Sequence, residues 1–233
     1  MKSNKIQNMA YIALYIALYI VLKFVGNFIP FLNMPNGGSI QIELIALFIA
    51  SYHLGWKQGA FIGVLARMIA IVLGMQMYYV HPIQILLDYV LPLMACGVAS
   101  LFWPFKESNK IFKYLFGIGL GLATYFGLYL AVGENTKIIG IILGVIVCAT
   151  AIVSLKEKES FGVVVAMIIS YICTVLSGVY FWADGVAAGS APAWIFSLQY
   201  NLGYTLVTMI VCAIATPTIT HALKKAGVKF EIE

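Results

Sequence analysis

Long apolar runs, separated by short polar or Gly- and Pro-containing stretches, make up almost the whole chain. Runs of about 20 apolar residues are long enough to cross a bilayer as helices. The pattern predicts about eight helices, near Gln7–Pro30, Ser39–Tyr52, Trp56–Met75, His81–Trp103, Ile111–Val132, Thr136–Leu155, Ser160–Trp182 and Ala193–His221. The second is short for a full crossing, so we expect it to be tilted or packed inside the bundle. We therefore predict an all-α, polytopic transmembrane bundle that forms a single integral membrane domain over residues 1–233.

Composition agrees with a membrane protein. Hydrophobic residues make up 62% of the chain and charged residues 10%, whereas soluble domains carry roughly a quarter charged residues. The four cysteines stand singly within apolar runs, which is neither a disulfide framework nor a metal-binding spacing. The basic residues form no stripe with aromatics, so we expect no nucleic-acid partner. We also expect no metal and no cofactor.

The positive charges predict the orientation. With the N-terminus placed in the cytoplasm, eleven of the 14 Lys and Arg residues fall in cytoplasmic segments and one, Lys137, in an external loop. The other two, Lys23 and Arg67, lie within helices. Excess positive charge marks the cytoplasmic side of a membrane protein. We therefore expect a multi-pass protein of the cell membrane with both termini in the cytoplasm.

Asp88 is a carboxylate deep within an apolar segment. Ionisable groups are expensive in hydrocarbon and usually mark functional sites. Gln84 precedes Asp88 by four residues and shares its helix face, Tyr78 and His81 extend that face, and Tyr89 lies beside it. A carboxylate among aromatic and amide side chains suits a small cationic aromatic ligand.

Glu43 is the other carboxylate within the apolar segments. We consider two roles for it: a structural one, as a backbone cap or a partner of Arg67, and a ligand-facing one. His53 lies beside a cytoplasmic turn and is expected to face solvent.

Two further patterns suggest moving or docking parts. Pro35, Gly37 and Gly38 in the loop from Asn33 to Ser39 suit a hinged lid over an external pocket. The first helix carries a small-residue stripe, which permits close approach of another helix. That predicted partner interface consists of Ala10, Ala13 and Ala17.

Sequence motifs of enzymes are absent. The chain has no Walker-type phosphate loop, no His-Glu-x-x-His and no paired aspartates of an intramembrane protease. We expect neither an enzyme nor a chain with its own ATPase.

Three stretches carry a family resemblance: the Ala13-xxx-Ala17 pattern, the run Gln84-Ile-Leu-Leu-Asp88-Tyr89-Val-Leu-Pro92, and the segment from Ser177-Gly178 through Trp182 to Tyr200-Asn201. The chain resembles the S component, the substrate-binding membrane subunit, of an energy-coupling factor (ECF) vitamin transporter of the thiamine-specific type. The resemblance implies a six-helix core, so the segment 111–155 would be an inserted helix pair. It also implies partners: a transmembrane coupling subunit that docks on the first helix, and two cytoplasmic ATPase subunits.

The resemblance also assigns site residues. Asp88 stands where the family has a vitamin-binding glutamate, and four residues match ligand-contacting positions: Tyr78, Tyr89, Trp182 and Asn201. Three positions depart from the family pattern. Thr174 replaces a histidine, Phe196 a tyrosine, and Ser39 a tryptophan.

The departures leave the ligand open. Thiamine is favoured by the resemblance, and a vitamin B6 compound such as pyridoxine or pyridoxal is the alternative, because the lost ring and donors fit a smaller ligand. A stand-alone carrier that takes up a proton on Asp88 or Glu43 is a further alternative. The sequence also leaves open whether the energising module is dedicated or shared, and what the additional helix pair does.

Overall fold

The computed structural model describes residues 2–34, 38–75, 77–102, 114–115, 117–122, 124–126, 137–154, 158–183 and 185–230. Within these ranges the regular structure is helical, and the one pairing of extended backbone is a bridge between Asn33 and Ser39. The labelled helices are α1 (Lys2–Asn27), α2 (Leu44–Leu54), α3 (Trp56–Val72), α4 (Pro82–Gly97), α5 (Lys137–Ser154), α6 (Lys158–Ser177) and α7 (Ala191–Lys225). Residues 117–122 and 124–126 are also helical. Helix is therefore present in all eight predicted regions, and the all-α bundle is confirmed.

Among the residues that the structure describes, three helices are long and apolar enough to cross a membrane: Ile6–Asn27, Glu159–Trp182 and Ala191–Lys225. The 35 residues of α7 would extend roughly 50 Å at the rise of an α-helix. That exceeds the hydrocarbon thickness of a bilayer. This helix therefore connects the two ends of the bundle.

Helix α2 is shorter than predicted and lies at the centre of the bundle. It begins at Leu44 rather than Ser39, because residues 38–40 are extended and the backbone N–H of Gln41 donates to Thr208 Oγ1 (3.1 Å). Ten of its eleven residues are buried. The prediction that this short segment packs inside the bundle is confirmed, and α1, α3, α4 and α7 surround it.

His53 contradicts the expectation that it faces solvent. It lies at the end of α2 and is 6% exposed, because three aromatic side chains enclose it. Tyr15 Oη hydrogen-bonds to His53 Nδ1 (2.8 Å), and the rings of Tyr11 and Phe230 pack against the imidazole. The C-terminal segment thus folds back onto α1 and α2. The position of His53 beside a predicted turn does not reveal this contact.

The same end of the bundle holds α6 and α7 together. Lys224 Nζ pairs with Glu159 Oε1 at 3.2 Å, and Ser160 Oγ donates to the carbonyl oxygen of Ala213 at 2.8 Å. These contacts and the His53 cluster lie at the end opposite to the start of α7.

The helix pair predicted in residues 111–155 is described in part. Gly121 lies directly against α5: a Cβ atom added there would be 2.7 Å from the carbonyl oxygen of Gly144. Only glycine permits this approach, so the residues 117–126 that are described pack on α5 as a close pair. Helix α5 in turn contacts α6 and α7. Its status as an insertion stays a prediction.

The stripe of small residues on α1 faces outward. Ala10, Ala13 and Ala17 are exposed, whereas Tyr15 and Tyr19 on the opposite face are buried. The stripe is therefore open to lipid or to another protein.

Candidate binding site

Two stretches of π-helix mark the site. Leu86–Val90 forms one inside α4, and Gly178–Trp182 forms the other at the end of α6. Wide turns of this kind are frequent at functional sites. Pro92 explains the first, because it has no N–H to offer the carbonyl four residues earlier, that of Asp88. The N–H of Leu91 instead reaches the carbonyl of Leu86, five residues back.

Asp88 joins the two π-helical stretches. Its Oδ2 atom accepts hydrogen bonds from Gln84 Nε2 (2.6 Å) and from Trp182 Nε1 (2.9 Å). Both donors are neutral, and both bonds end on the same oxygen, so neither uses Oδ1. The buried Ser177 hydroxyl lies close to this carboxylate and makes no hydrogen bond of standard geometry with the described residues. Sequence reasoning did not single out Ser177 as a site residue.

Gln84 supports the carboxylate and is fully buried. While its Nε2 donates to Asp88, its Oε1 accepts from the N–H of Val80 at 3.2 Å. The prediction that Gln84 and Asp88 share a helix face is confirmed. The Gln84 side chain thus connects the Asp88 carboxylate to the segment 77–80 between α3 and α4.

Tyr78 and Tyr89 meet at this segment. The N–H of Tyr78 donates to the Tyr89 hydroxyl at 3.1 Å, and the Tyr78 ring contacts Trp182 edge to face, with centroids 6.1 Å apart. The guanidinium of Arg67 lies over the Tyr89 ring, 4.5 Å from its centroid. Arg67 was considered at the sequence level only as a partner for Glu43, so its contact with Tyr89 was missed.

His81 has a structural contact at the start of α4. Its Nδ1 accepts from the N–H of Ile83 (3.2 Å), which caps the helix, and its ring stacks on Phe181 with centroids 5.4 Å apart. His81 is exposed. It links α4 to the second π-helical stretch.

Residues of α7 and α6 form a second polar group. Asn201 Nδ2 donates to the carbonyl oxygen of Ser197 (2.9 Å), and the Tyr204 hydroxyl donates to Asn201 Oδ1. Gly178, which begins the second π-helical stretch, lies against these residues: a Cβ atom added there would be 3.3 Å from Asn201 Nδ2. This group, which we call the Asn201 group, therefore adjoins the stretch that carries Trp182.

Two of the residues that depart from the family pattern are fixed by other contacts. The Thr174 hydroxyl donates to the carbonyl oxygen of Tyr171 at 3.0 Å. Phe196 is partly exposed and stacks on Tyr200, with centroids 5.7 Å apart. The Tyr200 ring in turn contacts the Tyr204 ring edge to face, with centroids 6.2 Å apart.

The loop between α1 and α2 closes over this second group. Gly38 has φ +76°, and a Cβ atom added there would be 2.8 Å from the Tyr204 ring. Ser39, the third residue that departs from the family pattern, lies in this loop and forms the bridge with Asn33. Pro35 and Gly37, the other residues of the predicted lid, lie outside the described residues.

Glu43 lies apart from these groups, in the interior between α1 and α2. Its Oε1 atom forms a salt bridge with Lys23 Nζ at 2.8 Å, and its side chain makes no capping hydrogen bond to α2. The partner found for Glu43 is therefore Lys23, where the sequence had suggested Arg67 or a backbone group.

The described residues contain no group of three or more His, Cys, Asp or Glu side chains that could hold a metal ion. The Asp88 cluster instead offers one carboxylate oxygen, several aromatic rings and a nearby amide. Such a set binds a cationic aromatic molecule by charge pairing and stacking.

Comparison with known proteins agrees with a site for such a molecule. A sequence model of the family described as Thiamine transporter protein (Thia_YuaJ) matches residues 9–227. The chain is 29% identical over 184 residues to the thiamine transporter ThiT of Bacillus subtilis (strain 168), across 79% of this chain and 76% of the relative. The structure of ThiT from Listeria monocytogenes superposes with a TM-score of 0.58, covers 95% of this chain and 97% of that one, and is 17% identical. At that identity the superposition supports the fold alone.

The family match extends over nearly the whole bundle, including α4, α6 and α7, which carry the Asp88 cluster and the Asn201 group. The chain therefore belongs to the thiamine transporter family, as a multi-pass membrane transporter and not an enzyme.

Proposed function

We propose that this protein binds thiamine from outside the cell at Asp88 and carries it across the membrane as the substrate-binding S component of an ECF transporter. The observation that carries this proposal is a half-buried carboxylate held by neutral donors, Gln84 and Trp182, and surrounded by rings. Thiamine brings a permanent positive charge and two linked rings. The charge would pair with Asp88 Oδ1, and the rings would meet aromatic faces.

The proposed ligand contacts are those of the Asp88 cluster and the Asn201 group. They are Asp88, Tyr78, Tyr89, Trp182, Asn201, Thr174 and Phe196. We assign Gln84 and His81 to positioning, since both polar atoms of Gln84 bond to protein partners and His81 Nδ1 caps α4. Gly38 and its loop would cover the bound vitamin.

The proposed orientation places both termini in the cytoplasm of the cell. It is supported by the excess of lysine in the segments assigned to that side. With that orientation, the His53 cluster and the Lys224–Glu159 pair lie at the cytoplasmic end. The loop carrying Gly38 and the segment 77–80 lie at the external end, where the vitamin arrives.

The ligand assignment is tested by native mass spectrometry of the purified protein, followed by calorimetric titration with thiamine and pyridoxine. We expect retained thiamine and tighter binding of thiamine. A protein that binds pyridoxine tightly and thiamine weakly would replace the thiamine assignment with vitamin B6. A matched variant sharpens the result: Thr174→His together with Phe196→Tyr should raise thiamine affinity if the pocket is laid out as the family resemblance implies.

The transport mode is tested separately. We expect the chain to co-purify with a coupling subunit and two ATPases, and to move no vitamin alone in liposomes under a pH gradient. Uptake by the isolated chain would establish a secondary carrier instead. Ala13→Trp with Ala17→Trp would block close helix approach, so uptake in cells should be lost while binding by the isolated protein persists. Ile214→Trp, at an exposed position of α7, is the matched control.

A further inference from the structure

Arg67 is a buried cation in the middle of the bundle. It lies on α3 and is 7% exposed, although α3 is surrounded by apolar side chains. A guanidinium is retained in such a place when it meets defined partners, and these usually belong to a functional site. The binding role proposed above makes no use of it.

The contacts of Arg67 lead to the ligand site. Its guanidinium carbon lies 4.5 Å from the centroid of the Tyr89 ring, over one face. Tyr19, a buried residue of α1, lies close to the same guanidinium. Tyr89 is held a second time, because its hydroxyl accepts the N–H of Tyr78 at 3.1 Å.

We propose that Arg67 is a positioning residue that fixes the plane of the Tyr89 ring and determines which part of the ligand the ring receives. The guanidinium covers one face of Tyr89, so a ligand can stack only on the other. A cation already attracted to the ring repels a second cation on the opposite face, with little screening in a buried site. The uncharged ring of a two-ring ligand therefore stacks on Tyr89, while the charged ring goes to Asp88.

This inference rests on the proposed function for the identity of the ligand, and on the contact between Arg67 and Tyr89 for its mechanism. The contact between Arg67 and Tyr89 is present without the ligand. Glu43, the carboxylate that precedes α2, is neutralised by Lys23 at 2.8 Å.

A double-mutant cycle on the full-length protein tests the inference. Arg67→Met should weaken thiamine binding about tenfold, the range of a desolvated cation–π contact. Arg67→Lys keeps the cation and should stay within about threefold. In a Tyr89→Leu background, Arg67→Met should change affinity less than about twofold, because the ring through which it acts is gone.

The control pair is Arg67 with Asp88. Since Arg67 acts on a different part of the ligand, Arg67→Met and Asp88→Asn should weaken binding additively. Unchanged or increased affinity in Arg67→Met, or an equal loss in the presence and absence of the Tyr89 ring, would overturn the proposal. If Arg67→Met does not fold, Tyr19→Phe removes a hydroxyl that lies close to the guanidinium. It should weaken binding about threefold when Tyr89 is present and not in Tyr89→Leu.

The wild-type titration separates this inference from the proposed function. Wild-type protein that binds pyridoxine and not thiamine contradicts the thiamine assignment only. The same cycle is then run with pyridoxine at a pH where its ring nitrogen is unprotonated, so that the uncharged ring should stack on Tyr89 and show coupling between Arg67 and Tyr89. If one of the vitamins binds but Arg67 and Tyr89 show no coupling, the role of Arg67 is contradicted. If neither vitamin binds, both proposals are contradicted.

Discussion

Glu43 and Asp88 are carboxylates in the interior of the bundle, and their surroundings differ. Glu43 faces Lys23 at 2.8 Å and is neutralised within the protein. Asp88 is held by an amide and an indole, both neutral, and forms no salt bridge with the residues that the structure describes. Burying a charge is costly unless it is paired. The comparison therefore separates a carboxylate that stabilises the fold from one that is completed by a cationic ligand.

The largest expected effect concerns Glu43. Glu43→Gln leaves Lys23 without its counter-charge, and breaking a buried pair costs about 3 kcal/mol or more of unfolding free energy. Thermal unfolding in detergent would measure this as a large drop in Tm. The double variant Glu43→Leu with Lys23→Met removes both charges and should recover most of the loss. If Glu43→Gln keeps the wild-type Tm, the pair is not what stabilises this part of the bundle.

The opposite result is expected at Asp88. Asp88→Asn should weaken thiamine binding by about 2 kcal/mol, roughly 30-fold, since it removes one member of a buried charge pair formed with the ligand. The Tm without ligand should stay the same or rise, because the substitution relieves an unpaired charge. Calorimetric titration and thermal unfolding on the same sample measure both quantities. A large loss of Tm with unaltered affinity would make Asp88 a structural residue like Glu43.

A smaller effect is expected at Gln84, which holds Asp88 without touching the ligand. Gln84→Met removes the hydrogen bonds to Asp88 Oδ2 and to Val80, and should weaken thiamine binding by about 1 kcal/mol. Amide exchange at Val80 should also accelerate in the ligand-free protein. Gln7→Met is the matched control, because Gln7 makes only an exposed 3.4 Å contact with Tyr11. Equal effects from the two substitutions would remove Gln84 from the support of the site.

The smallest effect is expected in the loop over the Asn201 group. Gly38→Ala places a side chain where φ is +76° and where the Tyr204 ring is in contact, a strain of about 1 kcal/mol. Ligand should slow hydrogen exchange of residues 33–39 in the wild type and protect them less in the variant. Equal exchange with and without saturating thiamine would place the lid elsewhere. Loop strain should leave the Lys23–Glu43 pair unaffected.

The sequence predicted the bundle because the signals for it are local. Apolar runs and turn residues identify each helix, and a four-residue spacing is enough to place Gln84 beside Asp88. The short length of the second segment was also enough to predict its burial. These properties depend on one segment at a time.

The missed features depend on several segments meeting. Trp182 donates to Asp88, 94 positions away. Lys23 lies on α1 and pairs with Glu43, which precedes α2. No periodicity within one segment points to either pair. The enclosure of His53 needed Phe230 from the far end of the chain. One local signal was present and unused: Pro92, four residues after Asp88, removes a helical hydrogen bond and accounts for the wide turn that carries the carboxylate.

The most direct test of the contrast between the two carboxylates compares thiamine with an uncharged isostere, in which the thiazolium is replaced by a neutral ring of the same shape. By calorimetry, the wild-type protein should bind thiamine about tenfold or more tightly than the isostere. The ratio of the two affinities should fall close to one in Asp88→Asn. It should stay at the wild-type value in the Glu43→Leu, Lys23→Met double variant. A preference that survives Asp88→Asn, or that disappears when the Lys23–Glu43 pair is removed, would contradict the assignment of Asp88 as the counter-charge of the ligand.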